Sequence, residues 1–487
     1  MIQYRNFIDG QWIESKEVHV IKNPWNDEVV SQCAIANEKD IELCLEASKN
    51  ARVPFSHTSR FLRSKLLSRM VELIQDHKDS IVESIILEAG KPITLADGEF
   101  ARCINTFKTA IDESTRFTGE IYPMDIDSGG RAFETAKTEF FPKGVILAIT
   151  PFNFPLNLVA HKIAPAFAVG APVILKPAPQ APGASFILAD IFQKALQSVN
   201  NEFGTKEEQI PEAAFQVLFC NNELAEKMVK DSRISIISFT GSASVGWKIQ
   251  ELGIKKKVLL ELGGNAGVIV CEDSDWKFAA ERIAFGSVSY AGQSCISVQR
   301  IYVDAKIYDN FRTQLLLEFK KVKTGDPTKK EILVGPLIDR KASERIVSWI
   351  QEAKSLGCNV LLGGTLDDKV LPPTLLENVA LDAKISQEEV FGPVAILEKI
   401  ENLEEGIAKL NNSKYGLHAG IFTNNLNKMN HAFKDLEVGG LIVNEVPTFR
   451  ADHMPYGGVK ESGLGREGVR YAMEDFCERK TLVVKKA

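Results

Sequence analysis

The sequence predicts an α/β protein with two α/β units and a smaller β element. Three observations carry that prediction. The chain has 487 residues, too many for one compact core, so two or three domains are expected. From residue 144 onward, short β-branched apolar runs alternate with amphipathic segments. Upstream, residues 122–141 place a turn signal between two alternating stretches.

Taken in order, 144–150 reads as a buried strand, 156–169 as a helix, 173–175 as a strand and 183–198 as a helix. Strands follow at 215–219, 234–239 and 257–262, separated by helices at 223–230 and 244–252. This βαβ alternation implies a parallel sheet covered on both faces, which binds ligands outside the carboxyl ends of its strands. The alternation restarts past about residue 262, with strands at 266–270 and 300–303 and helices at 277–290, 308–323 and 340–356. Asp127-Ser-Gly-Gly130 predicts the turn of a β-hairpin that interrupts the first unit.

Composition narrows the function classes. Hydrophobic residues make up 45% and charged residues 25%, an ordinary globular balance. Fifty-eight basic against 64 acidic residues give a net charge of -6, with no basic stripe interleaved with aromatics, so no nucleic-acid partner is expected. No apolar stretch reaches the roughly 18–20 residues that span a bilayer. The first ten residues lack a basic segment followed by an apolar one, so no secretory signal is expected. Eight scattered cysteines without a CxxC pair argue against a disulfide framework and against a metal site, and for a cytoplasmic setting. Two motif matches carry no weight. Gly463-Leu-Gly-Arg-Glu-Gly468 fits GxGxxG but follows no predicted strand, and Asn411-Asn-Ser413 fits a glycosylation acceptor in a chain without a signal.

Five short motifs carry chemistry. Cys295, in Gly292-Gln-Ser-Cys295, sits in a polar break between a helix and a strand, where small residues admit a substrate to the thiol. A packed, inert thiol is the plainer reading of any single cysteine. Glu261 closes an apolar strand before Gly263-Gly264; it is a solvated strand end or a general base whose pKa the apolar neighbours raise. Asn153, in Thr150-Pro-Phe-Asn-Phe-Pro155, is a helix N-cap or an amide donor aimed at an oxyanion. Lys176 ends a strand, as a solvated charge or a contact to a dinucleotide. Phe239-Thr-Gly241-Ser242, with Gly246 behind it, is a strand–turn–helix whose helix N-terminus suits a pyrophosphate.

These motifs, in this order, resemble those of the aldehyde dehydrogenase superfamily. So do Glu388-Glu389-Val-Phe391-Gly-Pro393, Asn412-Ser-Lys-Tyr-Gly416 with Leu417, and Pro455-Tyr-Gly-Gly-Val-Lys460 followed by Ser462-Gly-Leu-Gly-Arg466. The resemblance runs from Asn6 to the final strand. It implies a Rossmann-like NAD(P)-binding domain over 1–121 and 143–261, an α/β catalytic domain over 262–468, and an oligomerisation element from 122–142 and 469–487. It also implies a homodimer or homotetramer and NAD or NADP as cofactor. Residue by residue, it implies Cys295 as nucleophile, Asn153 and the Cys295 N–H as oxyanion donors, and Glu261 as the base that activates water against a thioester. Lys176 would meet the adenosine ribose, Gly241 and Ser242 the pyrophosphate, and Glu389 and Phe391 the nicotinamide ribose. The glutamate at 261 favours a free acid as product over a CoA thioester.

The chain departs from the family pattern at Pro179, where strictly NAD-preferring members often carry Glu. A proline neither accepts bonds from the ribose hydroxyls nor repels a 2′-phosphate, so NADP use or dual specificity is expected. Helical spacing places Phe154, Asn157 and His161 on one face, which in the family lines the substrate tunnel; polar residues there favour a small polar or anionic aldehyde, while the residues alone favour His161 as a satisfied core histidine. The closest resemblance is to the branch of lactaldehyde and non-phosphorylating glyceraldehyde-3-phosphate dehydrogenases. Arg102 and Arg450 are candidate anion binders, with solvation as the alternative for each. Ser294, where the phosphate-using branch commonly has Arg, argues against a phosphorylated substrate. A competing class, the non-enzymatic binding protein on this fold, requires loss of the nucleophile, base or oxyanion donor, and all three are present.

Overall fold

The computed structural model describes residues 1–486. Two large sheets dominate it. The first has eight strands. Its centre is five parallel strands in the spatial order Lys257–Glu261, Ile234–Thr240, Val145–Ile149, Val173–Lys176, Phe215–Val217. The chain builds outward from Val145–Ile149 in one direction, then returns to add Ile234–Thr240 on its other side. That reversal leaves a crevice beyond the carboxyl ends of these two neighbours. Thr150–Asn153 and Thr240–Ser242 are the residues that emerge there.

The core explains why these segments are strands. Val145, Ile146, Leu147 and Ala148 are all buried, as a strand covered on both faces requires. The helix Asn157–Val169 covers one face and is buried throughout its 13 residues. Predicted and observed strand ends in this sheet differ by two residues at most.

The second sheet has seven strands, with Gly267–Val270 and Arg300–Asp304 adjacent and parallel near its middle. A third sheet has three strands: Ile121–Tyr122, Phe133–Pro142 and Cys477–Lys485. The first pair is the expected hairpin, with a 3-10 turn at Gly130–Ala132. The long C-terminal strand pairs along the whole of Phe133–Pro142. The expected oligomerisation element ends on Ala487, which lies outside the described residues.

One reading needs correcting. The glycine-rich run after 462 does contain a strand. Gly463–Leu464 pairs antiparallel with Leu260 and Glu261 at the edge of the first sheet, and the helix Val469–Asp475 follows. Its glycines serve close backbone packing beside Glu261: a Cβ on Gly463 would run into the Leu260 carbonyl.

A buried carboxyl, Glu88, ties three elements together. It accepts from Ser31 Oγ at 2.6 Å and from the Gly183 N–H at 2.7 Å, at the start of the helix Gly183–Phe203. Burial pushes its pKa up to about 7, against the lowering effect of those hydrogen bonds. A carboxyl whose folded pKa lies above its unfolded value stabilises the fold at low pH. That contribution is lost as pH rises from about 4.5 to about 7, roughly 3 kcal/mol at about 1.4 per unit. Glu88→Gln should therefore flatten the fall in thermal midpoint between pH 5 and pH 7.5. Parallel pH profiles for the two proteins would disprove the assignment.

Candidate active site

The carboxyl edge of the first sheet faces the nucleophile loop of the second unit across a cavity of about 740 Å³. Cys295, Glu261 and Asn153 all line it. The loop that presents Cys295 is conformationally unusual. Tyr290, Ala291 and Gly292 have φ of 53°, 52° and 67°, three consecutive left-handed residues of which only the last is glycine. Such a run is held only when its surroundings over-determine it.

Those surroundings form a closed ring of hydrogen bonds. Asn153 Nδ2 donates to the Gln293 carbonyl at 3.0 Å, and the Gln293 N–H donates to the Tyr290 carbonyl at 3.1 Å. The Tyr290 hydroxyl donates to the Ala89 carbonyl at 3.0 Å. Two residues on, Lys91 Nζ donates back to the Asn153 carbonyl at 2.7 Å. Gln293 is fully buried, and its side-chain oxygen also accepts from the Ile338 N–H at 2.9 Å.

Asn153 is not a helix cap. The helix begins at Asn157, and the N–H groups of Leu156 and Asn157 donate to Glu99 Oε1 at 2.9 and 3.0 Å. Glu99 in turn pairs with Lys91 at 2.5 Å, with both side chains buried. Asn153 thus keeps one amide hydrogen uncommitted, and its Oδ1 has no partner.

Glu261 is 6% exposed, and burial raises its pKa well above the ordinary carboxyl value, with the nearby charge of Glu467 adding to the effect. Burial also favours protonation of Glu467, but Lys162 and Arg450 overcome this and hold it down at about 2. Both bond to it at 3.0 Å. Cys295 is partly open to the cavity, and its Sγ lies 3.1 Å from the Tyr456 hydroxyl. Burial pushes its thiol up to about 12, and the Tyr456 hydroxyl works in the opposite sense.

Of the four candidate substrate contacts, three line the cavity. Arg102 does so while pairing with Asp452 at 2.7 Å. Arg450 does so with its guanidinium 3.8 Å from the Tyr456 ring centre. Asn157 lines it with its amide donating to Asp452 at 3.2 Å. His161 is the correction: its side chain is 0% exposed, bonded to Asp452 at 2.9 Å, and lies behind the wall. Burial holds it neutral, with its pKa down at about 4.

A second cavity of about 420 Å³ adjoins the first, and both are lined by Pro151, Phe152, Gln180, Thr240, Gly241 and Ser242. Lys176 and Pro179 line its far part. Ser242 precedes the ten-residue helix Ala243–Leu252 and makes no side-chain cap bond, so that N-terminus is open toward the cavities. Glu389 accepts from the Gly264 N–H at 2.9 Å, and burial raises it to about 7. Phe391 holds φ of 50° and packs edge-on to Phe152.

Eight buried side-chain polar atoms lack partners among the described residues. Four of them, Asn153 Oδ1, Thr240 Oγ1, Glu261 Oε2 and Arg450 Nε, belong to residues lining the larger cavity. Buried polar groups are rarely left unpaired, so this concentration marks a ligand site. An elongated ligand with a phosphate-rich middle fits the joined cavities. No cluster of metal-ligating side chains occurs among the described residues, and none of their helices is long and apolar enough to cross a membrane.

Lys91, Glu99, Gln293, Asp452, Tyr456 and Glu467 escaped sequence reasoning. Gln293, Tyr456 and Glu467 lay within quoted motifs without being singled out; Lys91, Glu99 and Asp452 bore no local signal.

The model of the aldehyde dehydrogenase family matches residues 12–482. A 3-sulfolactaldehyde dehydrogenase from Priestia aryabhattai is 36% identical over 484 residues, covering 99% of this chain and 98% of the relative. The crystal structure of aldehyde dehydrogenase 21 from Physcomitrella patens, in complex with the reaction product succinate, superposes with a TM-score of 0.94 at 37% identity, covering 99% of this chain and 98% of that one. Glyceraldehyde-3-phosphate dehydrogenase from Methanocaldococcus jannaschii, complexed with NADP, gives 0.90 at 36%, covering 96% and 99%.

Proposed function

This chain belongs to the aldehyde dehydrogenase family, whose NAD(P)-dependent oxidation of an aldehyde is its activity, and we propose that it converts a small polar or anionic aldehyde to the free acid through Cys295 and Glu261. The observation that carries this reading is the set of unpartnered polar atoms on Asn153, Glu261, Thr240 and Arg450 around the cavity that Cys295 enters.

Cys295 attacks as the thiolate. The C–S bond forms as the carbonyl π pair moves onto oxygen. The free Asn153 amide hydrogen and the Cys295 backbone N–H hold that oxyanion. A nicotinamide dinucleotide held along the joined cavities would supply the hydride acceptor, and the oxyanion pair would return to C=O as the hydride left carbon, giving an acyl group on sulfur. Lys176 and Pro179 would meet its adenosine ribose, Gly241 and Ser242 its pyrophosphate, and Glu389 and Phe391 its nicotinamide ribose. Glu261 then takes a proton from water. The water oxygen bonds to the acyl carbon, and sulfur leaves as thiolate. A carboxyl raised by burial is the stronger base once ionised.

The charge inventory supports an anionic substrate. Lys91, Arg102 and Arg450 line the cavity, each paired with one acidic side chain, and Arg450 keeps its Nε without a partner. The succinate bound to the moss relative and the sulfolactaldehyde of the bacterial one are of the same anionic class. Exposed apolar residues on the three-stranded sheet, Ile121, Leu482 and Val483 among them, support a homodimer or homotetramer built through its edges. The division into cofactor, catalytic and oligomerisation elements at the boundaries above belongs to the same proposal.

Three outcomes test it. Glu261→Gln should give a burst of about one NAD(P)H per site and then turn over at least about a hundredfold more slowly, as loss of a general base does; unchanged steady-state turnover excludes Glu261. Arg450→Ala should raise KM for an acidic aldehyde about tenfold more than for a neutral one of equal length, and equal effects remove Arg450 from the substrate contacts. With Pro179 beside the ribose, kcat/KM for NADP should match or exceed that for NAD. A preference for NAD above about a hundredfold, about 2.7 kcal/mol, contradicts that.

A further inference from the structure

Tyr456 is placed with unusual firmness for a cavity side chain. Its N–H donates to the Glu467 carbonyl at 2.9 Å, and its carbonyl accepts from the Glu467 N–H at 2.7 Å. The ring is 3% exposed. The Arg450 guanidinium stacks on it at 3.8 Å, and the His418 ring meets it at 4.9 Å and 66°. Backbone and ring contacts together leave the hydroxyl one direction, toward Cys295 Sγ at 3.1 Å.

We propose that Tyr456 is a further catalytic residue, whose hydroxyl donates a hydrogen bond to the Cys295 thiolate and raises the population of the nucleophile. This rests on Cys295 being the nucleophile. Burial raises the phenol well above its ordinary value, so it stays protonated at every working pH. It therefore does not act as a phenolate base; it can accept from the thiol S–H, and to the thiolate it must donate. A donor to an ionised acceptor is roughly twice as strong as one to a neutral acceptor. The bond is thus worth most to S⁻, less to S–H, and least once sulfur is bound to carbon. Its effect falls on formation of the C–S bond and not on hydrolysis of the acyl group. The guanidinium on the ring face withdraws electron density and makes the hydroxyl a better donor.

Tyr456→Phe removes the hydroxyl and keeps the ring on Arg450 and His418. The other seven cysteines are buried, so iodoacetamide reads Cys295 selectively in the native enzyme. At any fixed pH below the thiol's midpoint its alkylation rate should fall about tenfold in Tyr456→Phe, as a midpoint higher by about one unit requires. One unit is a tenfold loss of thiolate at any pH below the midpoint. The first-turnover burst should slow by the same factor, while thioester hydrolysis keeps its rate. Tyr456→Leu, which also strips the ring, should show the same pH displacement together with a lower thermal midpoint. A packing role alone predicts that Phe behaves as Tyr does, and coincident alkylation profiles overturn the proposal. Turnover that survives complete labelling of Cys295 overturns it together with the nucleophile assignment. Abolished turnover with coincident profiles overturns it alone.

Discussion

The bond from Asn153 Nδ2 to the Gln293 carbonyl, 3.0 Å long, is the interaction on which the rest of the site depends. It joins the end of a first-sheet strand to the loop that presents the thiol. Through it the left-handed run at Tyr290–Gly292 becomes part of a ring that closes through Ala89 and Lys91. Each strained non-glycine residue costs about 1–3 kcal/mol. Buried hydrogen bonds on every side of the loop offset that cost. The same amide also directs its remaining hydrogen, so one side chain sets both the Cys295 loop and, in the proposed mechanism, the oxyanion's donor. A shift of either sheet would disturb both together.

Much of this was legible in the sequence because it is local. A strand covered on both faces must be apolar along its centre, and 145–149 and 258–260 are. Cys295, Glu261 and Asn153 sit in small-residue breaks at strand or helix ends, which the sequence displays. What escaped is held by partners remote in sequence. Asp452 gathers Arg102, Asn157 and His161 from 350, 295 and 291 residues away. Glu99 takes the capping role that helix-start patterns assign to Asn153, from 57 residues upstream. Helical period placed His161 on the face of Asn157 but did not reveal which element covers that face. The covering loop, with Asp452, sits over His161 and leaves Asn157 at the cavity.

Pairing explains why so many charges tolerate burial here. An isolated ion in such a wall costs several kcal/mol, and a pair survives when its hydrogen bonds are complete. Lys91 has Glu99 and a carbonyl, and Asp452 has Arg102, Asn157 and His161. Arg450 is the incomplete case. Its Nη2 is bonded to Glu467, its face is stacked on Tyr456, and its Nε has nothing. A cavity-lining cation with an unused donor is preorganised for an incoming anion, because the cost of desolvating it has already been met by the fold. The vacant donor gives that preference a direction, because Nε is the part of the guanidinium left without a partner.

Glu261 and Glu467 cannot be assigned protons independently. Two carboxyls that repel one another titrate as a unit, and the first charge settles where cations are nearest. Lys162 and Arg450 favour that charge on Glu467, which makes Glu261 the harder of the two to ionise. When it ionises to take a proton from water, it does so against the charge of Glu467, which strengthens it as a base.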